Sequence, residues 1–331
     1  MTVTIRRREL LVAFGGTAAA WPLAARAQQP TMPVVGFLHS ASPGGYAPMV
    51  AAFRDGLKET GYIESQNVTI EFRWANSKYD QLPGLAISLV DRGVTVIVVG
   101  SIPAALAAKA ATTTIPIVFE TAGDPVRLGL IASLNRPGGN VTGVANLNAE
   151  VTPKRLELLH ELVPTATVIP LLVNPTNTAL TEIVLRASQA AAQALGLKLH
   201  VLNASTERDF DGVFEKVVQL RAGGLVVGSD AVFTSHHEQL AALALRHAVP
   251  TVYQNRSFIA AGGLASYGGA TIDAYRLAGI YAARIVKGEK PGELPIQLAT
   301  KVELFLNLKT ARRFGLTVPT ALLVRADEVI E

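Results

Sequence analysis

Several polar and aromatic side chains stand where a small ligand could be recognised. Tyr46 and Tyr267 could stack on a flat or apolar ligand. Asp230 is suited to pair with an amine, and Arg256 with a carboxylate. A lone aromatic residue near a strand end is more often part of the core, so these side chains acquire a functional meaning only as a set.

Two serine and aspartate positions have the order of a helix N-cap followed by proline in the first helical turn. They are Ser101 with Pro103, and Asp124 with Pro125. Free N–H groups at such ends bind carboxylates or polar ligand atoms. Helix capping alone explains either pair by itself. Evidence for a ligand site comes only from the expectation that both pairs lie close together in the fold.

That co-location is expected because ligands of open parallel sheets bind beyond the carboxyl ends of the strands. The segments after the predicted strands are short, polar and rich in glycine and proline. The predicted ligand-binding residues are Ser40, Ala41, Ser42, Tyr46, Ser101, Ile102, Thr121, Asp124, Asn174, Ser229, Asp230, Gln254, Asn255 and Tyr267.

Common enzyme motifs are missing from the sequence, including the phosphate-binding loop, H-E-x-x-H, Gly-x-Ser-x-Gly and the dinucleotide-binding glycine motif after the first strand. The chain has no cysteine, which excludes thiol nucleophiles and cysteine-ligated metals. His236 and His237 are adjacent, which is poor spacing for metal ligands on a helix. We therefore expect no catalytic residue, metal or cofactor. A cleft hydrolase using Ser101 or Ser229 is the alternative, but His39 is the only histidine near a candidate loop.

The composition is that of a packed globular protein of two domains or one large domain. The 331 residues are 49% hydrophobic and 17% charged, with a net charge of +4. A basic balance can indicate a nucleic-acid partner. Most of this excess lies in the first 27 residues, which hold four arginines and one glutamate. We therefore expect no nucleic-acid partner.

Those first residues resemble an export signal, which we place at 1–27. A basic start containing Arg7 and Arg8 precedes an apolar stretch, and Ala25 and Ala27 fit an A-x-A cleavage site. The paired arginines are close to the twin-arginine pattern, although Sec leaders are also basic. The apolar stretch is shorter than the roughly 20 residues that span a bilayer. We expect a soluble periplasmic protein without a lipid anchor, since a lipid-modified cysteine is excluded.

The remaining chain has two halves with the same plan, in which short apolar strands alternate with longer amphipathic helices. Three strands of the first half recur 129 to 134 residues later, at residues 168, 197 and 225. The second strand of each half alternates polar and apolar residues, as an edge strand does, whereas the third is continuously apolar. Pro170 argues against a central strand at Val168 to Val173.

These patterns predict an α/β fold of two doubly wound parallel-sheet lobes with a hinge between them. Segments 33–147 and 256–290 are assigned to an N-terminal lobe, and segments 148–255 and 291–328 to a C-terminal lobe. The chain would then cross between the lobes three times.

Longer stretches of sequence carry a family resemblance. They include the run from Phe53 to Tyr62, Gly123-Asp124-Pro125-Val126, the run from Arg136 to Gly143, and Ala265-Ser266-Tyr267-Gly268. Together they resemble the ABC-transporter substrate-binding proteins of the tryptophan or aromatic-amino-acid type, with the type I periplasmic binding fold. The resemblance covers nearly all of the chain after the leader.

The resemblance implies a ligand enclosed between the lobes by the residues that follow the strands. The small, flexible run Ser42-Pro43-Gly44-Gly45 leaves room for another organic acid or aromatic molecule besides an amino acid. The leading hypothesis is an exported, monomeric solute-binding component of an ABC importer that docks on an inner-membrane permease. The alternatives are the cleft hydrolase and a ligand-sensing regulator, although no DNA-reading helix-turn-helix precedes the first strand.

Overall fold

The computed structural model describes residues 32–331. The predicted export signal, with Arg7, Arg8, Ala25 and Ala27, lies outside the described residues. The first half contains β1 (Val34–His39), α1 (Ala47–Glu59), β2 (Thr69–Trp74), α2 (Leu82–Asp91), β3 (Val96–Val99), α3 (Ile102–Ala111), β4 (Ile117–Thr121) and β5 (Val141–Ala145), with 3-10 turns at Gly44–Tyr46 and Tyr79–Gln81.

The second half repeats the alternation of strands and helices. It contains α4 (Thr152–Leu162), β6 (Val168–Val173), α5 (Thr178–Ala194), β7 (Lys198–Asn203), α6 (Phe210–Gln219), β8 (Leu225–Val227), α7 (Ala231–Ser235), α8 (His237–Arg246), β9 (Thr251–Tyr253), α9 (Ser257–Ala260) and β10 (Ala265–Gly269), with a 3-10 turn at Glu207–Asp209. The last part holds α10 (Thr271–Val286), β11 (Gln297–Leu298), β12 (Val302–Asn307), α11 (Leu308–Arg313), α12 (Thr320–Arg325) and β13 (Glu328–Ile330), with a 3-10 turn at Pro291–Glu293.

The strands described form two sheets. The six-stranded sheet has the order β11-β5-β4-β3-β1-β2, and the seven-stranded sheet has the order β13-β12-β10-β9-β8-β6-β7. The pairs are parallel apart from the antiparallel pair of β10 and β12. As predicted, the second strand of each half, β2 or β7, lies at a sheet edge, and the third, β3 or β8, lies inside. We call each sheet with its helices a lobe, the first and the second.

Pro170 does not prevent β6 from occupying an interior position between β7 and β8. The pairing with β8 begins only at Leu171, so the missing N–H of Pro170 lies before that ladder starts. The prediction that Pro170 argues against a central strand here was wrong, because a short neighbouring strand leaves that position unpaired.

The described chain passes between the two sheets three times, at 146–151, at Ala270 and at 299–301. Sheet membership differs from the predicted segments at two places. Strand β10, which was assigned to the N-terminal lobe, pairs with β9 and β12 in the second sheet. Strand β11, which was assigned to the C-terminal lobe, pairs with β5 in the first sheet. The sequence pattern does not show that β10 and β11 belong to the opposite sheets, since each involves only a few residues.

Helices cover both faces of the first sheet, which explains the unbroken apolar run of β3. Ile97 and Val99 pack in one core cluster with α2 and α3, while Val96 and Val98 pack in another with α1 and α10. No helix in residues 32–331 is both long enough and apolar enough to cross a membrane.

Candidate functional site

A cleft lies between the two lobes, at the carboxyl ends of strands from both sheets. It holds about 520 Å³, including its opening to solvent, which is a usual size for a small-molecule site. Its walls are formed by Tyr46, Gly100, Ser101, Ile102, Glu120, Ala122, Asn146, Asn148, Asn177, Leu180, Ser229, Asp230, Ala231, Thr234, Gln254, Asn255 and Thr271.

Seven of the fourteen predicted residues line this cleft. They are Tyr46, Ser101, Ile102, Ser229, Asp230, Gln254 and Asn255. Ser101 is the N-cap of α3, as predicted, with its hydroxyl accepting a 3.4 Å hydrogen bond from the Ala104 amide. The carboxyl-end rule therefore located this cleft from both sheets.

The other seven predicted residues lie outside the cleft wall. Ser40 and Ala41 are fully buried beneath it, and Tyr267 lies within β10. Thr121 donates a hydrogen bond to the carbonyl of Gly123. The remaining three are Ser42, Asp124 and Asn174.

Asp124 caps a turn and not a helix: its carboxylate accepts hydrogen bonds from the amides of Val126 and Arg127. Arg256 does not face the cleft either. It forms an ion pair with Glu328 at 2.6 Å on the surface, so it is not placed to bind a carboxylate in the cleft. The order Asp124-Pro125 in the sequence was therefore not enough to identify the start of a helix.

His39 anchors the floor of the cleft from the end of β1. Its Nδ1 accepts a hydrogen bond from the Ala41 amide, so Nε2 carries the proton and donates to the Tyr275 hydroxyl at 2.9 Å. The Tyr275 hydroxyl in turn donates to the carbonyl of Gly100, which lines the cleft. Burial lowers the pKa of His39 to about 3, opposed by a backbone hydrogen bond to Gly100, so the ring is neutral at pH 7.

Tyr46 leans on the His39 ring, with ring centroids 4.1 Å apart, and also contacts Trp74 and Tyr275. Burial raises its pKa, assisted by the nearby charge of Glu120. The ring is held by its aromatic neighbours, so it can present one fixed surface to a ligand.

Glu120 is a carboxyl group at the end of β4 that sequence reasoning missed. It is 5% exposed and its Oε1 accepts a 2.5 Å hydrogen bond from the Asn146 side chain. Burial raises the pKa of Glu120 to about 8, because the described part of the chain gives it no cationic partner and only the Asn146 hydrogen bond opposes the shift. The signal in the sequence is a charged residue directly after the apolar run from Ile117 to Phe119.

Arg155, on α4, is a fully buried guanidinium behind the cleft wall. Its donors reach neutral acceptors: the Tyr267 carbonyl at 2.6 Å, the Thr152 and Ser229 hydroxyls, and both the carbonyl and the side chain of Asn148. Burial lowers the pKa of Arg155 to about 9. A positive charge thus sits directly behind Ser229, which lines the cleft.

Asn148 joins two of the crossing segments. Its Oδ1 accepts hydrogen bonds from the Gly269 amide and from Arg155, and its Nδ2 lies 3.4 Å from the Thr271 hydroxyl. Its amide donates to the side chain of Asn146, which in turn donates to Glu120. A chain of hydrogen bonds therefore runs from Glu120 in the first lobe to Arg155 in the second.

Asp230 lines the cleft, but its carboxylate is occupied by protein donors. Oδ1 accepts from the Tyr79 hydroxyl, from Asn174 Nδ2 and from the Val232 amide, and Oδ2 accepts from Asn177 Nδ2. Burial raises the pKa of Asp230, while these hydrogen bonds oppose the shift. The predicted pairing of Asp230 with an amine is not favoured by this arrangement, because the carboxylate already fastens the two lobes together.

Two further contacts bring the two lobes together near the cleft. The Ser42 amide lies 3.4 Å from the Ser235 hydroxyl of α7. A Cβ on Gly45 would lie 2.5 Å from the Ser235 Cα, closer than any real contact, so only glycine permits this approach of the lobes.

The serine and histidine of the alternative cleft hydrolase are already engaged by other protein groups. Ser229 lies between Arg155 and the Asn148 carbonyl, and both ring nitrogens of His39 are already in hydrogen bonds. No group of three or more potential metal ligands occurs within residues 32–331. The residues that sequence reasoning missed include Asn146, Asn148 and Thr271, which lie at the crossings that follow β5 and β10.

Residues 8–330 match the family described as ABC transporter substrate binding protein. The chain belongs to this family. A tyrosine-binding protein of Clostridioides difficile is 27% identical over 263 residues, which are 78% of this chain and 74% of that protein.

Solved structures agree with the fold of this substrate-binding protein. A conserved domain protein from Vibrio cholerae superimposes with a TM-score of 0.83 at 27% identity, covering 90% of this chain and all of that one. A Streptococcus domain in complex with L-Trp gives a TM-score of 0.81 at 24% identity, covering 91% and 100%. The predicted fold of two hinged α/β lobes is confirmed.

Proposed function

We propose that this protein is the exported solute-binding component of an ABC importer and closes around a small organic ligand. The observation that carries the proposal is the cleft itself, whose walls come from the carboxyl ends of strands in both sheets. A ligand in such a cleft contacts both lobes at once and favours the closed arrangement over an open one.

The ligand class that we propose is an amino acid, with an aromatic amino acid or another aromatic acid first to be tested. A relative is named a tyrosine-binding protein and a structural neighbour holds L-Trp. Tyr46 offers an aromatic surface, and Asn255 and Gln254 add polar groups on the opposite lobe. The proposal includes no chemical turnover, a monomeric protein without a nucleic-acid partner, and docking on an inner-membrane permease.

Calorimetry on protein freed of co-purified ligand tests the proposal. We expect one amino acid or aromatic acid to bind with a 1:1 stoichiometry and to raise the melting temperature, because it binds only the folded state. Small-angle scattering should show a decrease in the radius of gyration on binding. If no member of a panel of amino acids and aromatic acids binds, the proposed function is wrong.

A further inference from the structure

We propose that Glu120 binds a protonated amine of the ligand, and that each binding event releases one proton. This inference rests on the proposed function and narrows its ligand to compounds with a basic nitrogen. Written as a balanced step, the neutral carboxyl of Glu120 and a ligand ammonium form a carboxylate–ammonium pair, and the carboxyl proton goes to solvent.

The first argument is the choice of acceptor within the cleft. Asp230 and Glu120 are the two carboxyl groups on its wall. The Asp230 oxygens are held by Tyr79 and by second-lobe donors, whereas Glu120 accepts one side-chain hydrogen bond, through Oε1. Oε2 of Glu120 therefore remains for a ligand donor.

A second acceptor points to the same chemistry independently. Gln254 is 3% exposed, and its Nε2 donates to the Asp230 carbonyl and to the Thr234 hydroxyl. Its Oε1 is buried without a hydrogen-bond partner. A buried acceptor without a donor is costly, and a ligand N–H in the cleft would satisfy it.

The third argument is the charge balance around the cleft. The buried cation of Arg155 has neutral acceptors as partners, and Glu120 has no cationic partner in the described part of the chain. A zwitterion with its ammonium group toward Glu120 and its carboxylate toward the Ser229 side gives the Arg155 cation a nearby anion and stabilises the ionised form of Glu120. Buried charges are stable in proteins only when they are paired or fully hydrogen-bonded.

The groups facing Glu120 set the direction of the pH dependence. Tyr46 and Tyr275 face it, and burial raises the pKa of each hydroxyl, so both are neutral below pH 9. The adjacent strands β3 and β5 contain no titratable residue. Across the cleft, Asp230 is held by its own donors, and His39 is neutral. The pKa of Glu120 near 8 then makes binding proton-linked below that pH.

The experiment compares matched ligands by calorimetry: L-tyrosine, L-tryptophan and other amino acids against the corresponding acids that lack the amine. We expect affinity only for compounds with the amine. In buffers of different ionisation enthalpy, the heats should show release of about one proton at pH 6.5. The dissociation constant should fall about tenfold from pH 6 to pH 7, while the ligand amine stays protonated.

Glu120→Gln should weaken binding of the amine ligand roughly 30-fold or more and abolish the proton release. Glu150→Gln is the matched control, because burial also raises the pKa of Glu150, which lies outside the cleft wall. It should retain both the affinity and the proton release. Melting temperatures verify that each variant folds.

Results that contradict the role of Glu120 can be told apart from results that contradict the proposed function. An amine-free acid that binds as tightly as its amino acid, or wild-type binding without proton release, overturns the role of Glu120 and leaves the proposed function standing. If neither set of compounds binds, the proposed function fails and this inference fails with it.

Discussion

The hydroxyl of Tyr79, in the first lobe, donates a 2.8 Å hydrogen bond to Oδ1 of Asp230, in the second. The two side chains join the lobes directly beside the cleft. In the proposed closure around a ligand, this hydrogen bond adds a direct contribution of the protein itself.

Tyr79→Phe should weaken ligand binding roughly 10- to 150-fold, since a hydrogen bond to a buried carboxylate contributes about 1.5–3 kcal/mol and this one joins the two lobes. Titration calorimetry measures the affinity, and scattering measures the closed fraction. Tyr281→Phe is the control, because the Tyr281 hydroxyl donates to the Pro295 carbonyl within the first lobe. An equal loss of affinity in both variants would contradict a role of Tyr79 in closure.

Gly45→Ala should hinder full closure, because its Cβ would lie 2.5 Å from the backbone of Ser235. We expect weaker ligand binding and a larger radius of gyration with ligand present, at an unchanged melting temperature of the unliganded protein. Gly44→Ala is a neighbouring control, since a Cβ there meets nothing within 4 Å. Identical binding by both variants would show that the lobes need not approach this closely.

His39→Gln should change how stability depends on pH. The folded-state pKa of His39 is lowered to about 3 from 6.5, so the unfolded chain takes up the proton first as the pH falls. The stabilisation from the neutral ring is complete above pH 6.5 and is lost between pH 6.5 and 3, by about 1.4 kcal/mol per pH unit. Chemical denaturation from pH 7 to pH 4 should therefore show a steeper decline for wild type than for the variant. Parallel curves would contradict a buried neutral histidine.

Asn148→Ala should lower the free energy of unfolding by about 2–4 kcal/mol. The change removes the side-chain acceptor shared by Arg155 and the Gly269 amide and leaves both buried donors with fewer partners. Urea denaturation measures the loss. Asn140→Ala is a useful comparison, because its side chain donates hydrogen bonds to the backbone carbonyls of Thr112 and Ile115 and lies away from the crossings. Only the Asn148 variant should also alter ligand affinity.

Sequence periodicity located the strands and the edge positions of β2 and β7, because burial on one face or on both is visible in the alternation of polar residues. It could not place Asn146 and Asn148 in the cleft. Their position depends on where the chain passes between sheets, which is a property of the whole topology. Glu120 was not predicted for a different reason: it lies within β4, whereas the carboxyl-end rule points to residues that follow a strand.

The segment after α10 gives each sheet one of its two edge strands: β11 in the first sheet and β13 in the second. Each lobe is thus assembled from separate pieces of the chain, and neither corresponds to a continuous fragment that could be expressed alone. During synthesis, residues from the 297–330 segment must leave the ribosome before either sheet has its full set of strands. Folding of the two lobes is therefore expected to be one cooperative, post-synthetic event and not a sequence of independent steps.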